Sequence, residues 1–288
     1  MSVAADLPIY RALSKGILSR TSGFIRDAGF THSLTPARNC TYGCTYCYVP
    51  TMRIYGGLKP ADWQRWGKFT TFKQNAPDLL AKELRPTQII YCSPLVDPYQ
   101  PVEIRESMMP RILEALIDRP PAVFVVQTRG PLILRDIELL QRLSSKTRLR
   151  VSFSITTNRE DVRRYYEPHC EPVTERLRAV QALEAAGIRT HCTLAPILPC
   201  DPSGLADLVL ESSSRDVIGD PFHNRAAKPQ GATTRAEAEQ ISSVRGFERW
   251  HEPEFQADVV AAIRARVEAA GRRFVTGPEG FRTLTTLR

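Results

Sequence analysis

The chain has 288 residues, of which 42% are apolar and 24% charged. This balance excludes an intrinsically disordered or collagen-like chain, and one domain of this length buries roughly 75% of its unfolded surface. A net charge of +8 favours polyanionic partners through long-range attraction, although 31 acidic residues dilute the excess, and no run approaches the ~18 apolar residues of a membrane span.

Residues 1–29 are read as an N-terminal extension, followed by a first strand that leads into Cys40-Thr-Tyr-Gly-Cys44-Thr-Tyr-Cys47-Tyr48. The spacing is C-x3-C-x2-C, and the next cysteine is Cys92. Three thiolates can hold three corners of a cubane [4Fe-4S] cluster and leave the fourth iron open to a ligand that is not protein. A structural zinc site is instead closed by four ligands, and here only Cys44 and Cys47 form a C-x2-C knuckle, with His32 in an extended segment as a candidate fourth. Fully ligated ferredoxin clusters use four thiolates in longer runs. The odd count of 7 scattered cysteines, without a signal peptide, argues against a disulfide framework and fits a reducing cytoplasm. A closed metal site or plain core cysteines remain the alternatives. Cys170, Cys192 and Cys200 are read as non-ligands.

Between Arg53 and Lys73, the cations Arg53, Lys59, Arg65, Lys68 and Lys73 interleave with Tyr55, Trp63, Trp66, Phe69 and Phe72. Such a pattern suits base stacking with phosphate contacts, and equally a lid packed over a barrel mouth. Beyond it, short β-branched runs alternate with amphipathic stretches, which predicts βα units around a parallel sheet. A helix is expected over residues 77–84, with Asn75 as its cap, then a strand over 88–92 and a helix over 110–117 ended by Pro120 and Pro121. The run 122–127 is apolar on both faces, as in a strand covered on each side, and Leu134, Ile137, Leu140 and Leu143 mark the next helix. A strand over 150–155 follows. Val173, Leu177, Val180 and Leu183 form a helical stripe stopped at Gly187, and 188–194 reads as another strand. From 211 to about 250 the periodicity decays, as in a lid, a binding segment or a disordered loop. A final helix near 253–270 precedes a short strand at 273–275, and the sixth barrel strand lies either at 216–218 or at Phe274.

In a β/α barrel, ligands gather at the C-terminal ends of the strands. That rule selects the cysteine loop, Ser93 to Pro101 with its Asp97-Pro-Tyr-Gln100-Pro string, Thr128-Arg129-Gly130, Ser154 to Thr157, and Ala195 to Leu198. The two prolines beside Asp97 stiffen their turn and could fix backbone groups facing a ligand.

The cysteine loop, with Tyr46 just before its last cysteine, resembles the cluster motif of the radical S-adenosylmethionine (SAM) superfamily. The ordered set Tyr91-Cys-Ser93, Val125-Val-Gln-Thr-Arg129, Arg150-Val-Ser-Phe-Ser-Ile155, Glu167-Pro168, Arg176 and Ala195-Pro-Ile197 is similar to spore photoproduct lyase and its relatives, from about Phe30 to Leu198. The resemblance implies an α/β fold, a partial (β/α)6 radical SAM barrel at 30–210, with an irregular C-terminal extension at 211–288 completing or covering it. It implies a [4Fe-4S] cluster on Cys40, Cys44 and Cys47, reductive cleavage of SAM to a 5'-deoxyadenosyl radical, and hydrogen abstraction from substrate. Tyr46 would lie against the adenine, and Ser93, Arg129, Ser154, Pro196 and Ile197 would contact SAM, although the family carries a lysine at the Arg129 position.

Cys92 matches the family's hydrogen-atom donor, and Tyr46 and Tyr48 match a relay behind it; a cysteine at the end of a buried strand also serves as a small hydrophobe. An electron donor of flavodoxin or ferredoxin type is implied as a partner, and nucleic acid is a candidate partner because the family repairs a DNA lesion. Against that substrate, no hairpin signal such as Asn-Gly appears in the C-terminal third. Two alternatives stand beside this reading: a radical SAM enzyme acting on a peptide, cofactor precursor or RNA base, and a non-catalytic metal- or nucleic-acid-binding module.

Overall fold

The structure, a computed structural model, describes residues 3–51, 62, 64–223 and 235–286. Arg53, Tyr55, Lys59 and Trp63 of the basic-aromatic stretch therefore lie outside the described residues. The strands are β1 (Ile9–Ala12), β2 (Leu18–Arg20), β3 (His32–Leu34), β4 (Ala37–Arg38), β5 (Thr70–Lys73), β6 (Ile89–Cys92), β7 (Val123–Thr128), β8 (Arg148–Ser154), β9 (Thr190–Leu194), β10 (Val217–Gly219) and β11 (Phe274–Thr276). Eight form one sheet in the order β11-β10-β9-β8-β7-β6-β3-β2, and β1, β5 and β4 form a small second sheet. From β3 to β11 every pairing in the large sheet is parallel, and only β2 runs antiparallel, to β3. Among the described residues β2 and β11 do not pair with each other, so the sheet is an open, partial barrel. No helix among them is long and apolar enough to cross a membrane.

Alternation along each strand sends successive side chains to opposite faces. On one face Ile90, Cys92, Phe124, Val126, Val151 and Phe153 belong to the main core, together with Leu80, Ile112, Leu113, Leu140 and Leu183 of the surrounding helices. On the other face Tyr91, Val123, Val125 and Ile218 meet Phe30, Phe281 and Leu284 in a second, smaller core. Further up that inner face the lining turns polar. Tyr91 Oη and Ser152 Oγ both donate to Gln127 Oε1 at 2.7 Å, and Gln127 Nε2 donates to Ser154 Oγ at 2.7 Å.

The bottom of the barrel is closed from both chain ends. The helix Gly23–Asp27 packs against the helix Gly277–Arg282, with Phe24 and Phe281 edge to face at 5.3 Å, while Arg282 Nη2 donates to Asp27 O and Thr285 Oγ1 to Ala28 O. Among residues 3–29, β1 pairs with β5, and β2 pairs with β3 of the large sheet.

Several local expectations change. The helix Ala76–Glu83 forms as expected, but Asn75 does not cap it; its amide bonds both backbone groups of Ser14 instead. Gly187 has φ +78, the left-handed geometry expected after the helix Val173–Ala185. Both candidate sixth strands exist, as the adjacent parallel pair β10 and β11. Residues 224–234 of the 211–250 stretch lie outside the described residues; the described part holds β10, the helix Ala236–Arg245 and the start of the 3-10 turn Glu248–His251. That helix buries only Ala238 and Ser242, so it carries no apolar stripe for sequence periodicity to reveal.

Candidate functional site

The cysteine loop turns tightly after β4. Gly43 N donates to Cys40 O at 3.2 Å and Cys47 N to Cys44 O at 3.1 Å, with Gly43 at φ +60. Gly67, at φ +83, lies against it so closely that a Cβ on Gly67 would meet Gly43 Cα at 2.7 Å. Two glycines are needed there because neither backbone has room for a side chain. Asn39 Oδ1 ties the layers together by accepting from Cys40 N at 2.8 Å and Gly67 N at 3.1 Å.

Cys40 and Cys44 are buried and Cys47 is half-buried. Burial pushes the Cys40 thiol well up, while the backbone N–H groups of Tyr42 and Asp97 hydrogen-bond it and act in the opposite sense. Burial also pushes Cys47 up to about 12. Cys44 is shifted down, first because Cys170 donates a hydrogen bond to it and then, against the cost of burial, by the charge of Arg129. Cys44 Sγ, Cys170 Sγ and a Glu167 carboxylate oxygen all lie within 4.8 Å of one another. The sequence gives no sign that Cys170 approaches the loop. Cys192 and Cys200 are buried in the main core.

Behind Cys44 stands a buried polar network, in which Arg176 Nε is left without a hydrogen-bond partner among the described residues. Glu167, fully buried, accepts from Tyr46 Oη at 2.5 Å, Thr156 Oγ1 at 2.8 Å, Arg176 Nη1 at 2.5 Å and Arg129 Nη1. Burial opposes its charge, but Arg176 and Arg129 with the two hydroxyl donors outweigh that and hold the carboxyl down at about 2. Arg176 reaches Ser154 O with its other nitrogen at 2.5 Å. The Arg129 guanidinium also bonds Tyr46 Oη and lies 5.7 Å from the centre of that ring. Phe222 packs edge to face on Tyr46 at 6.3 Å. The structure thus brings Tyr46, Arg129 and the Ser154 backbone to one place beside Cys44, through two residues, Glu167 and Arg176, to which sequence reasoning gave no role.

The remaining candidates are arranged around this centre. Ser93 Oγ is buried and has no hydrogen-bond partner among the described residues. Ser154 Oγ already accepts from Gln127, which leaves its own proton free to donate. Tyr48 Oη donates to Pro94 O at 2.7 Å. Pro196 and Ile197 are buried, and Ile197 N donates to Asp220 O. Cys92 is fully buried and registers with Val126, whereas Gln127, Ser152 and Ser154 occupy the opposite face. Cys92 therefore belongs to the helix-facing side of the sheet and Ser154 to the inner side. In the basic-aromatic stretch, Trp66, Phe69 and Phe72 are buried, so these three rings are taken up by the protein core and not by stacked bases.

The residues fit the cofactors that the cysteine motif calls for. Three cysteines on one loop, two buried and one half-buried, make a thiolate donor set, and an orphaned hydroxyl at Ser93 with a guanidinium at Arg129 offers polar partners to an amino-acid ligand.

Comparison with known proteins agrees. The profile of the Radical SAM superfamily matches residues 34–202. An uncharacterized protein of Methanocaldococcus jannaschii is 29% identical over 160 residues, covering 56% of this chain and 58% of the relative. An uncharacterized protein of Mycobacterium tuberculosis is 27% identical over 174 residues, covering 59% of this chain and 50% of the relative. The matched part thus spans only about half the length of these curated relatives. Among solved structures, a mutant of spore photoproduct lyase superposes with a TM-score of 0.65 at 15% identity, covering 95% of this chain and 82% of that one. Spore photoproduct lyase complexed with dinucleoside spore photoproduct gives 0.63 at 14% identity over the same shares. These likenesses establish a shared fold. The profile, matching well over half the chain, establishes the kinship: this protein belongs to the radical SAM superfamily, whose enzymes use a [4Fe-4S] cluster and S-adenosylmethionine.

Proposed function

We propose that this chain is a radical SAM enzyme that abstracts hydrogen from its substrate, with Cys40, Cys44 and Cys47 as the cluster ligands and a thymine-dimer type nucleic-acid lesion as the substrate class. When bound, the reduced cluster and SAM supply a 5'-deoxyadenosyl radical, the species that removes a hydrogen atom from substrate. The observation that carries the reading is the juxtaposition of Cys44 with the buried Tyr46–Arg129–Glu167 assembly.

Each residue has a physical task. Arg129 presents a planar fork to the carboxylate of SAM, and Glu167 holds that fork in place until the ligand arrives. Tyr46 is packed on one edge by Phe222 and on its face by Arg129, and offers its ring as a wall for the adenine. Ser93 and Ser154 donate hydroxyl protons to the polar part of SAM, while Pro196 and Ile197 close the apolar side and exclude water. An electron donor of flavodoxin or ferredoxin type reduces the centre. The 30–210 core carries all of these groups, and the 211–288 region covers it through Phe222.

The test is anaerobic reconstitution, reduction and addition of SAM, with 5'-deoxyadenosine as the product measured. Wild type should release it and Cys40→Ala, Cys44→Ala and Cys47→Ala should not; a full cluster in wild type without product would reject the enzyme. For the lesion, dinucleoside spore photoproduct is offered to wild type and Cys92→Ala. Unchanged lesion and no exchange of substrate deuterium would reject that substrate class.

A second reading keeps the radical chemistry and changes the substrate to a peptide, cofactor precursor or RNA base. One observation favours it: Cys92, the expected hydrogen-atom donor, falls on the opposite face of the sheet from Ser154. Under this reading Cys92→Ala still forms 5'-deoxyadenosine at the wild-type rate.

A further inference from the structure

The Asp97-Pro-Tyr-Gln100-Pro string has no role in the chemistry above, yet it touches both halves of the site. Gln100, 1% exposed, uses its side-chain oxygen to accept from Thr41 N at 2.8 Å and Thr41 Oγ1 at 3.1 Å, directly after Cys40. Tyr42 Oη donates to Tyr99 O at 3.1 Å. On its other side the string holds the end of β7: Asp97 Oδ2 accepts from Arg129 N at 2.9 Å and Asp97 Oδ1 from Thr128 Oγ1 at 2.7 Å. Asp97 Oδ1 also accepts from Tyr99 N at 2.9 Å, which fixes the turn itself. Gly130 completes the contact, because a Cβ there would lie 2.5 Å from both Tyr42 Oη and Tyr99 O.

We propose that Asp97 and Gln100 are positioning residues forming a strut that sets the cysteine loop in register with Arg129. The cysteine loop and the β7 end come from sequence-distant segments, and the string bonds the main chain of each. A main-chain contact fixes a segment's place without depending on its side chains. Two prolines and four short hydrogen bonds leave the strut little freedom, so a shift at one end is transmitted to the other. The Gln100 side chain serves the cluster end, where the Asp97 main-chain N–H also bonds Cys40, and the Asp97 carboxylate serves the SAM end. In its functional terms this inference rests on the proposed cluster and SAM sites.

The experiment compares Gln100→Leu, Gln100→Glu, Asp97→Ala and Asp97→Asn with wild type. Gln100→Leu should lose iron to a chelator about tenfold faster than wild type, and Gln100→Glu, which keeps an acceptor, should restore retention. Asp97→Ala should keep its iron but weaken SAM binding about tenfold, read from the SAM-induced change in the electron paramagnetic resonance signal, with Asp97→Asn intermediate. A cofactor-free readout accompanies these: amide hydrogen exchange of the cluster-free proteins should quicken at residues 39–48 in Gln100→Leu and at 128–130 in Asp97→Ala. Exchange unchanged in both alanine and leucine variants overturns the strut. If exchange responds as expected while wild type holds no cubane or SAM, the strut stands and the proposed function falls.

Discussion

Replacing Glu167 by glutamine should be among the most damaging single substitutions in the protein. The wild-type carboxylate is fully buried and faces Arg176, whose side chain is 1% exposed, and Arg129, 14% exposed. Its carboxyl is held at about 2 against an ordinary 4.5, and at 1.36 kcal/mol per unit that preference for the charged form amounts to roughly 3 kcal/mol. Glutamine keeps an acceptor for Tyr46 and Thr156 but takes from both guanidinium groups the carboxylate they hydrogen-bond, leaving only the longer-range charges of Asp97 on Arg129 and Glu171 on Arg176. Breaking a buried pair by removing one partner costs about 3–5 kcal/mol, which agrees with the first figure. Urea unfolding of the cluster-free protein, followed by near- and far-ultraviolet circular dichroism, should therefore show a loss of about 3–5 kcal/mol. Adding Arg176→Met should recover part of it, since one of the two stranded charges, the more deeply buried, is then gone. A Glu167→Gln protein within about 0.5 kcal/mol of wild type would refute the argument that this network is held by charge.

Glu103 should give a pH effect of its own. Burial pushes its carboxyl up to about 7, and its Oε2 lacks a partner among the described residues. A raised carboxyl confers stability that is whole below the unfolded value near 4.5 and falls away as pH rises to about 7; Glu103→Gln should flatten that limb of the stability profile. Gly67→Ala should cost about 1–3 kcal/mol and reduce iron retention, because its Cβ would press on Gly43 Cα at 2.7 Å; wild-type stability would show that the two loops separate freely. In the cluster-free chain, diamide should oxidise the neighbouring Cys44 and Cys170 thiols to a disulfide, taking up their two hydrogens and electrons. Peptide mapping should find that pair, and a bridge from Cys44 to Cys40 or Cys47 instead would show the observed neighbourhood to be wrong.

The parallel sheet was legible because β7 is apolar on both faces and because Gly187 and the Pro120-Pro121 pair punctuate the helices around it. The helix Ala236–Arg245 was not, since it packs through Ala238 and Ser242 and offers no hydrophobic period. Asn75 illustrates a subtler failure: its type and place suit a cap, but Ser14 offers its side chain a better pair of partners. Of the site, the cysteine spacing could be read directly, whereas the meeting of Cys170 with Cys44 and of Glu167 with two arginines arises only from chain crossings in space. The separation of Cys92 from Ser154 was not legible either, because alternation within one strand is read from sequence but the register between β6, β7 and β8 is set only by their pairing.

The closure of the barrel bottom has a consequence for how the chain is made. Phe30 and Tyr91 are covered by Phe281 and Leu284, and Arg282 binds Asp27 across 255 positions. A ribosome adding about 5–20 residues per second leaves that apolar surface bare for on the order of tens of seconds after Tyr91 has emerged. The nascent protein is thus obliged to present a greasy, unfinished floor until the helix Gly277–Arg282 arrives to cover it.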